Sequence, residues 1–284
     1  MTFKKKIGFL LLGILPLPVG IFLQFLLTIP LTGFAAMKLL FENAGQGGSV
    51  MDLSMQLYEI TTGSAFTDVL QIVYSCSLIL LFGCWLRAAF RNNVRVPLKK
   101  GKQLLGFLCG LLLLMIGLQY LTEIIYEGVA MISPSTAADY EELTEMAGLG
   151  DPGPLMYLYV VVLGPIGEEL LFRGVALRYF RRIMPFGIAN LLQAVMFGIY
   201  HMNLMQTLYT LAAGLLFGLI AEKGGRLLDS ILAHSLFNLL GITGALYLWA
   251  DSPYFQFAWM PVMVLTLILG SMLLFPGEEK AAEA

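Results

Sequence analysis

The sequence predicts an all-α fold, a polytopic membrane helix bundle of about eight transmembrane helices. Three observations carry that prediction. Of the 284 residues, 58% are hydrophobic and 13% charged, where a soluble domain holds about 25% charged residues, and the mean hydropathy is +0.80. Apolar runs long enough to cross roughly 30 Å of hydrocarbon recur along the chain. The loops between them alternate in the sign of their charge.

Taken in order, the runs place spans near 7–35, 68–90, 103–126, 155–177, 186–204, 206–222, 227–249 and 257–275. Merging the short 186–222 pair would give seven. The first run is long and carries Pro16, Pro18 and Pro30, so a kinked or partly interfacial course is expected. Its basic start resembles a signal peptide, but the apolar run is longer than an h-region and lacks a small-residue cleavage site. An uncleaved first span is therefore expected.

Lys4–Lys6, the RNNVRVPLKKGK loop (91–102), the RYFRR loop (178–182) and the EKGGR loop (222–226) hold most of the basic residues. Between them lie Glu42, Asp52 and Glu59, then DYEELTEMAGLGD at 139–151, then Asp251. Under the positive-inside rule both termini are cytoplasmic. The expected location is a cell (plasma) membrane, with the lipid bilayer as a partner. The net charge of -2 gives no sign of a nucleic-acid partner. Cys76, Cys84 and Cys109 fall in apolar runs without CxxC spacing. They read as buried, reduced thiols.

The expensive feature is GPIGEELLFRG at 164–174, where two glutamates and an arginine interrupt an apolar run. Each charge near the bilayer centre costs about 2.5–3.5 kcal/mol, and each Leu, Val or Phe returns roughly 0.3–0.6. Glu169 and Arg173 stand at i,i+4 in the favourable order for an ion pair and read as a structural clamp. Glu168 lies about 100° away round the helix and has no partner on it. The chain has two histidines, His201 in FGIYH and His234 in HSLFN. His234 and Asn238 share a face, as do Phe197 and His201. A lone intramembrane histidine or asparagine is commonly a helix–helix contact. One unpaired carboxylate, two imidazoles and an amide within roughly 70 residues are instead the groups that activate water and stabilise an oxyanion.

EELLFR, FGIYH and HSLFN, in that order, match the EExxxR, FxxxH and HxxxN motifs of the CPBP family. The chain thereby resembles the CAAX-protease and bacteriocin-processing intramembrane endopeptidases, also called the Abi family. The resemblance covers roughly residues 160–245. It divides the chain into 1–150, helices without a recognised motif; 151–250, the catalytic core; and 251–284, a last helix and cytoplasmic tail.

The resemblance implies that Glu168 activates the attacking water and His201 assists. It assigns the oxyanion to His234 and Asn238, and support of the site to Glu169 and Arg173. Glu168, His201 and His234 are also a candidate zinc triad, and the family has been described both as zinc proteases and as metal-independent glutamate proteases. No HExxH is present, and the reading leans to a site without an obligatory metal. The expected partner is a peptide or membrane-protein substrate in a bacterial membrane. A proton-coupled transporter and a non-catalytic immunity or scaffold protein are the competing classes.

Depth counted at 1.5 Å per residue puts Glu168 and His234 roughly 10–15 Å from the basic-loop face and His201 deeper. A short, tilted 186–204 helix or a chain break at 164–167 would reconcile them. The cavity is expected to open on the cytoplasmic side.

Overall fold

Hydrocarbon offers the backbone no hydrogen bonds, so long apolar runs must satisfy their own amides, and a helix does this within one segment. The computed structural model describes residues 1–44, 49–90, 98–244 and 255–275, and no strand occurs among them. It has ten helices there: α1 Phe3–Glu42, α2 Val50–Thr62, α3 Ser64–Ala89, α4 Gly101–Ile132, α5 Pro134–Met146, α6 Pro154–Phe180, α7 Phe186–Tyr200, α8 Leu204–Gly224, α9 Leu227–Thr243 and α10 Phe255–Leu274. Asp251, positions 91–97 of the basic loop and the tail after 275 lie outside the described residues.

Eight apolar helices stand where the runs predict; among the described residues α1, α3, α4, α6 and α8 are long and apolar enough to cross a membrane. The expected count of about eight crossing helices is corrected in that respect. Helix α7 has 15 residues and α9 has 17, or about 22 and 25 Å of rise. Local signals cut them short. Asn203 turns the chain out of α7 and caps α8, its side chain accepting from the Gln206 amide, while Gly244 adopts φ 58° and ends α9. Helices α2 and α5 were not among the expected spans. The first starts with a Ser49–Asp52 capping box, and α5 carries the acidic DYEEL stretch.

In α1 the kink falls at Leu15, between Phe3–Ile14 and Pro16–Glu42. Pro30 sits inside the second segment. Gly13 lets α1 lie on Phe180 of α6, where a Cβ would come within 2.4 Å of the ring. Helices α4 and α10 approach each other through Gly110, Gly117 and Gly270, the small-residue packing usual between membrane helices.

The core is aromatic, with Phe82, Phe172, Phe180, Phe197 and Phe217 fully buried. Large apolar side chains such as Phe22 and Ile29 are 65% and 71% exposed, as expected of a surface solvated by lipid. The three cysteines are free but exposed on the bundle surface, which corrects their expected burial. A thiol is apolar enough to face lipid as readily as a core. At the basic-loop end, Lys99 and Arg226 both pair with the fully buried Asp229 and fix the start of α9.

Candidate active site

Helix α6 is not a regular α-helix around its charges. Residues 159–163 and 170–176 widen into π turns, with Gly164–Glu169 helical between them. The chain therefore does not break at 164–167. Pro165 explains the first widening: a proline inside a helix has no N–H and collides with the carbonyl four residues back. The Gly164 amide turns to the Tyr159 carbonyl, so the Val160 carbonyl loses both the i+4 and the i+5 donor. Asn238 of α9 takes their place, its Nδ2 donating to Val160 O at 2.8 Å.

Between the two π turns the glutamates diverge. Glu169 is completely buried and accepts from Arg173 Nη1 at 2.7 Å. Arg173 Nη2 donates to the Gly214 carbonyl at 3.1 Å, and its guanidinium lies 4.5 Å from the Phe197 ring centre. Gln193 Nε2 donates to the same carbonyl at 2.9 Å and to Asn190. This is the clamp that the i,i+4 spacing predicts. A buried ion pair persists when further hydrogen bonds compensate its lost hydration, and here α8 supplies one through Gly214, while α7 adds the Phe197 ring.

Glu169 also has a second partner. Its Oε1 lies 3.1 Å from His234 Nδ1. A carboxylate paired with arginine can only accept, so Nδ1 carries the proton and Nε2 is turned to the other side. There Glu168 Oε2 stands 3.7 Å from Nε2. The two neighbouring carboxylates thus flank one imidazole, and His234 is stacked on Phe217 at 4.9 Å. His201 is fixed in the same sense. Its Nδ1 donates to the Phe197 carbonyl at 2.8 Å, which leaves Nε2 for other partners. Phe197 packs edge-on against both imidazoles, at 5.0 and 5.6 Å, the reason a phenylalanine stands four residues before His201.

Glu168, His201, His234 and Asn238 all line one cavity of about 580 Å³. The shortness of α7 brings His201 to it. Met202 follows at φ 52°, a left-handed turn uncommon for a non-glycine residue. The rest of the lining includes Thr122 and Tyr126 near the end of α4, Tyr140 of α5 and Gln206 of α8. These sit at the acidic-loop end of the bundle. The expectation of a cavity opening toward the basic loops is therefore corrected, because α6 seals that side with the Glu169–Arg173 layer. Tyr140 roofs the cavity and bonds to Tyr209, and burial pushes its phenol above the usual tyrosine range.

Residues 151–240 match the family described as type II CAAX prenyl endopeptidase Rce1-like, a stretch that contains every motif residue above. An 85-residue segment, 30% of this chain, is 33% identical to a Bacillus subtilis (strain 168) protein named "Putative membrane peptidase YdiL". Over these stretches the chain is similar to both. It spans about a third of that relative, 35% of its length. No solved structure matches the chain significantly.

Within the matched segment, the arrangement also tests the zinc triad. Among the described residues no three His, Cys, Asp or Glu side chains form a group able to hold a metal ion. Glu168 and His234 approach at 3.7 Å, but His201 joins them in no common donor set. The side chains as arranged do not fit a three-ligand zinc site, and no step below is routed through one. Three features of the site escape the motif reading. They are the Glu169–His234 contact, the Asn238–Val160 bond and the hydrogen bond between Tyr74 and Tyr200 on the cavity wall. Pro165 inside an apolar run was the available signal for the second; the other two are contacts between distant segments.

Proposed function

We propose that the chain is an intramembrane endopeptidase of the glutamate type, hydrolysing a peptide bond with a water activated by Glu168. The observation that carries this reading is the Glu168–His234–Glu169 arrangement at the floor of the cavity: one carboxylate locked to arginine, one turned to open space. Glu168 takes a proton from water, and the hydroxide adds to the carbonyl carbon of the substrate. With His234 acting as an imidazolium, its Nδ1–H held by Glu169, the oxyanion accepts from the Asn238 amide and from the Nε2–H of that ring. His201 Nε2 holds the water from the other wall. As the carbon–nitrogen bond breaks, Glu168 returns its proton to the leaving amine.

The expected substrate is a small peptide precursor or another membrane protein, entering from the acidic-loop end. With both termini cytoplasmic, that end is the outer face of a bacterial plasma membrane. Comparing membrane-peptide profiles of wild-type and Glu168→Ala strains tests this. A peptide processed only by the wild type supports it, and identical profiles contradict it. The glutamate type predicts that dialysis against a strong zinc chelator leaves the cleavage rate unchanged; a rate lost to chelator and restored by zinc would instead establish a metalloprotease.

One observation favours a second reading, a proton-coupled transporter. A further cavity of about 370 Å³ reaches Arg173 from the basic-loop end, so the Glu169–Arg173 layer separates two cavities. Proton flux into proteoliposomes that vanishes in Glu168→Gln, without any peptidase activity in the wild type, would support it.

A further inference from the structure

The cavity at the basic-loop end is lined mainly by cations. Arg178, Arg181 and Arg182 line it, with Glu222 as the one acid among the described residues and Arg173 at its inner end. Arg181 is bound to Glu222 at 2.8 Å, and Arg173 to Glu169. Arg178 and Arg182 form no salt bridge with any described acid. Both guanidinium groups lie over the same ring, Phe90, with centres at 5.7 and 4.7 Å. Arg178 in the last turn of α6 and Arg182 just beyond its end carry like charges that repel. Phe90, the Phe9 and Tyr179 rings 4.9 and 5.5 Å from Arg182, and the Ala89 carbonyl that accepts from Arg182 Nη2 at 3.5 Å compensate them without neutralising them. At the inner end, Arg173 Nε is buried without a hydrogen-bond partner among the described residues. The cavity thus combines two unpaired cations with a buried, unfilled donor.

We propose that this cavity binds a phosphate-bearing anion between Arg178 and Arg182, either the headgroup of an anionic phospholipid or free phosphate. The position agrees with this. Arg178 lies two residues before the end of α6 at Phe180, beside the basic loops, at the level where lipid phosphates meet a membrane protein. Guanidinium forks bind phosphate oxygens through paired hydrogen bonds, and Phe90 supplies an apolar floor for the start of an acyl chain. Arg173 Nε closes the inner wall as a further donor. The site is independent of the peptidase reading, since it stands on the far side of the ion-pair layer from Glu168.

Native mass spectrometry of the full chain released from nanodiscs tests it, with phosphatidylglycerol, phosphatidylcholine and inorganic phosphate as the probes. Preferential retention of phosphatidylglycerol, reduced about tenfold in Arg178→Gln/Arg182→Gln, supports the lipid source. Phosphate binding without lipid preference, lost in the same variant, supports the free-ion source. Arg178→Lys should restore most retention, and Glu222→Gln, which removes the one acid among the described lining residues, should increase it. Equal retention of both lipids together with no phosphate binding overturns the proposal. So does retention unchanged in both the double variant and Glu222→Gln, a result that a folding defect in the former cannot produce.

Discussion

The floor of the cavity and the layer directly beneath it hold the same kinds of residue under opposite conditions. Beneath, Glu169 and Arg173 are wholly enclosed and bound to each other, with Gly214 and His234 as further partners. Above, Glu168 keeps 14% of its side chain exposed and reaches no hydrogen-bond distance to His234. The lower layer behaves as structure, since its two opposite charges are bound to each other. The upper one holds polar groups short of full pairing, the condition that leaves room for a reacting molecule. The contrast arises from one helix, because successive residues of the regular turn Gly164–Glu169 diverge by about 100° and so reach opposite sides of one imidazole.

Breaking the lower layer should have the largest structural effect. Arg173→Met leaves Glu169 buried without its cation, and a loss of about 3–5 kcal/mol in unfolding free energy is expected, measured by denaturant titration in mild detergent. Stability within 1 kcal/mol of wild type would show that the pair is dispensable. Next comes the α7–α8 hairpin that presents His201. A Cβ at Gly198 would lie 2.9 Å from the Thr207 carbonyl, and backbone cannot rotate away. Gly198→Ala should cost about 1–3 kcal/mol and lower activity further than stability alone explains. An unchanged melting temperature would mean that the helices separate freely.

Asn238→Leu removes the donor to Val160 O, an unsatisfied carbonyl worth about 1–3 kcal/mol. Asn238→Ala should behave alike in stability, and an effect confined to the reaction rate would restrict Asn238 to the oxyanion. At the small end, Cys76→Ser changes an exposed, lipid-facing position and should stay within about 0.5 kcal/mol of wild type. A larger loss would place Cys76 in a contact.

The sequence made the helical bundle legible because apolar runs and the sign of loop charges are local properties. The clamp was legible for the same reason, as Glu169 and Arg173 are four residues apart. What stayed hidden depends on contacts between helices or on helix geometry. Counting 1.5 Å per residue assumes regular α-helix, and the π turns of α6 and the early end of α7 both break that assumption. The short α7 is one of the two resolutions the depth count allowed, and it brings His201 to the cavity. The cysteines show a second limit, since hydropathy cannot tell a lipid-facing position from a buried one. Glu169 was assigned to Arg173 alone because its other partner, His234, lies 65 residues away.

The central claim is that two adjacent glutamates divide the work, Glu168 on the chemistry and Glu169 on the frame. Measuring cleavage of a membrane peptide by purified Glu168→Gln, with its unfolding curve recorded on the same sample, tests it most directly. The account predicts a rate lower by about 10²–10⁴-fold with an unfolding midpoint close to wild type. Wild-type cleavage by a folded Glu168→Gln protein would contradict it.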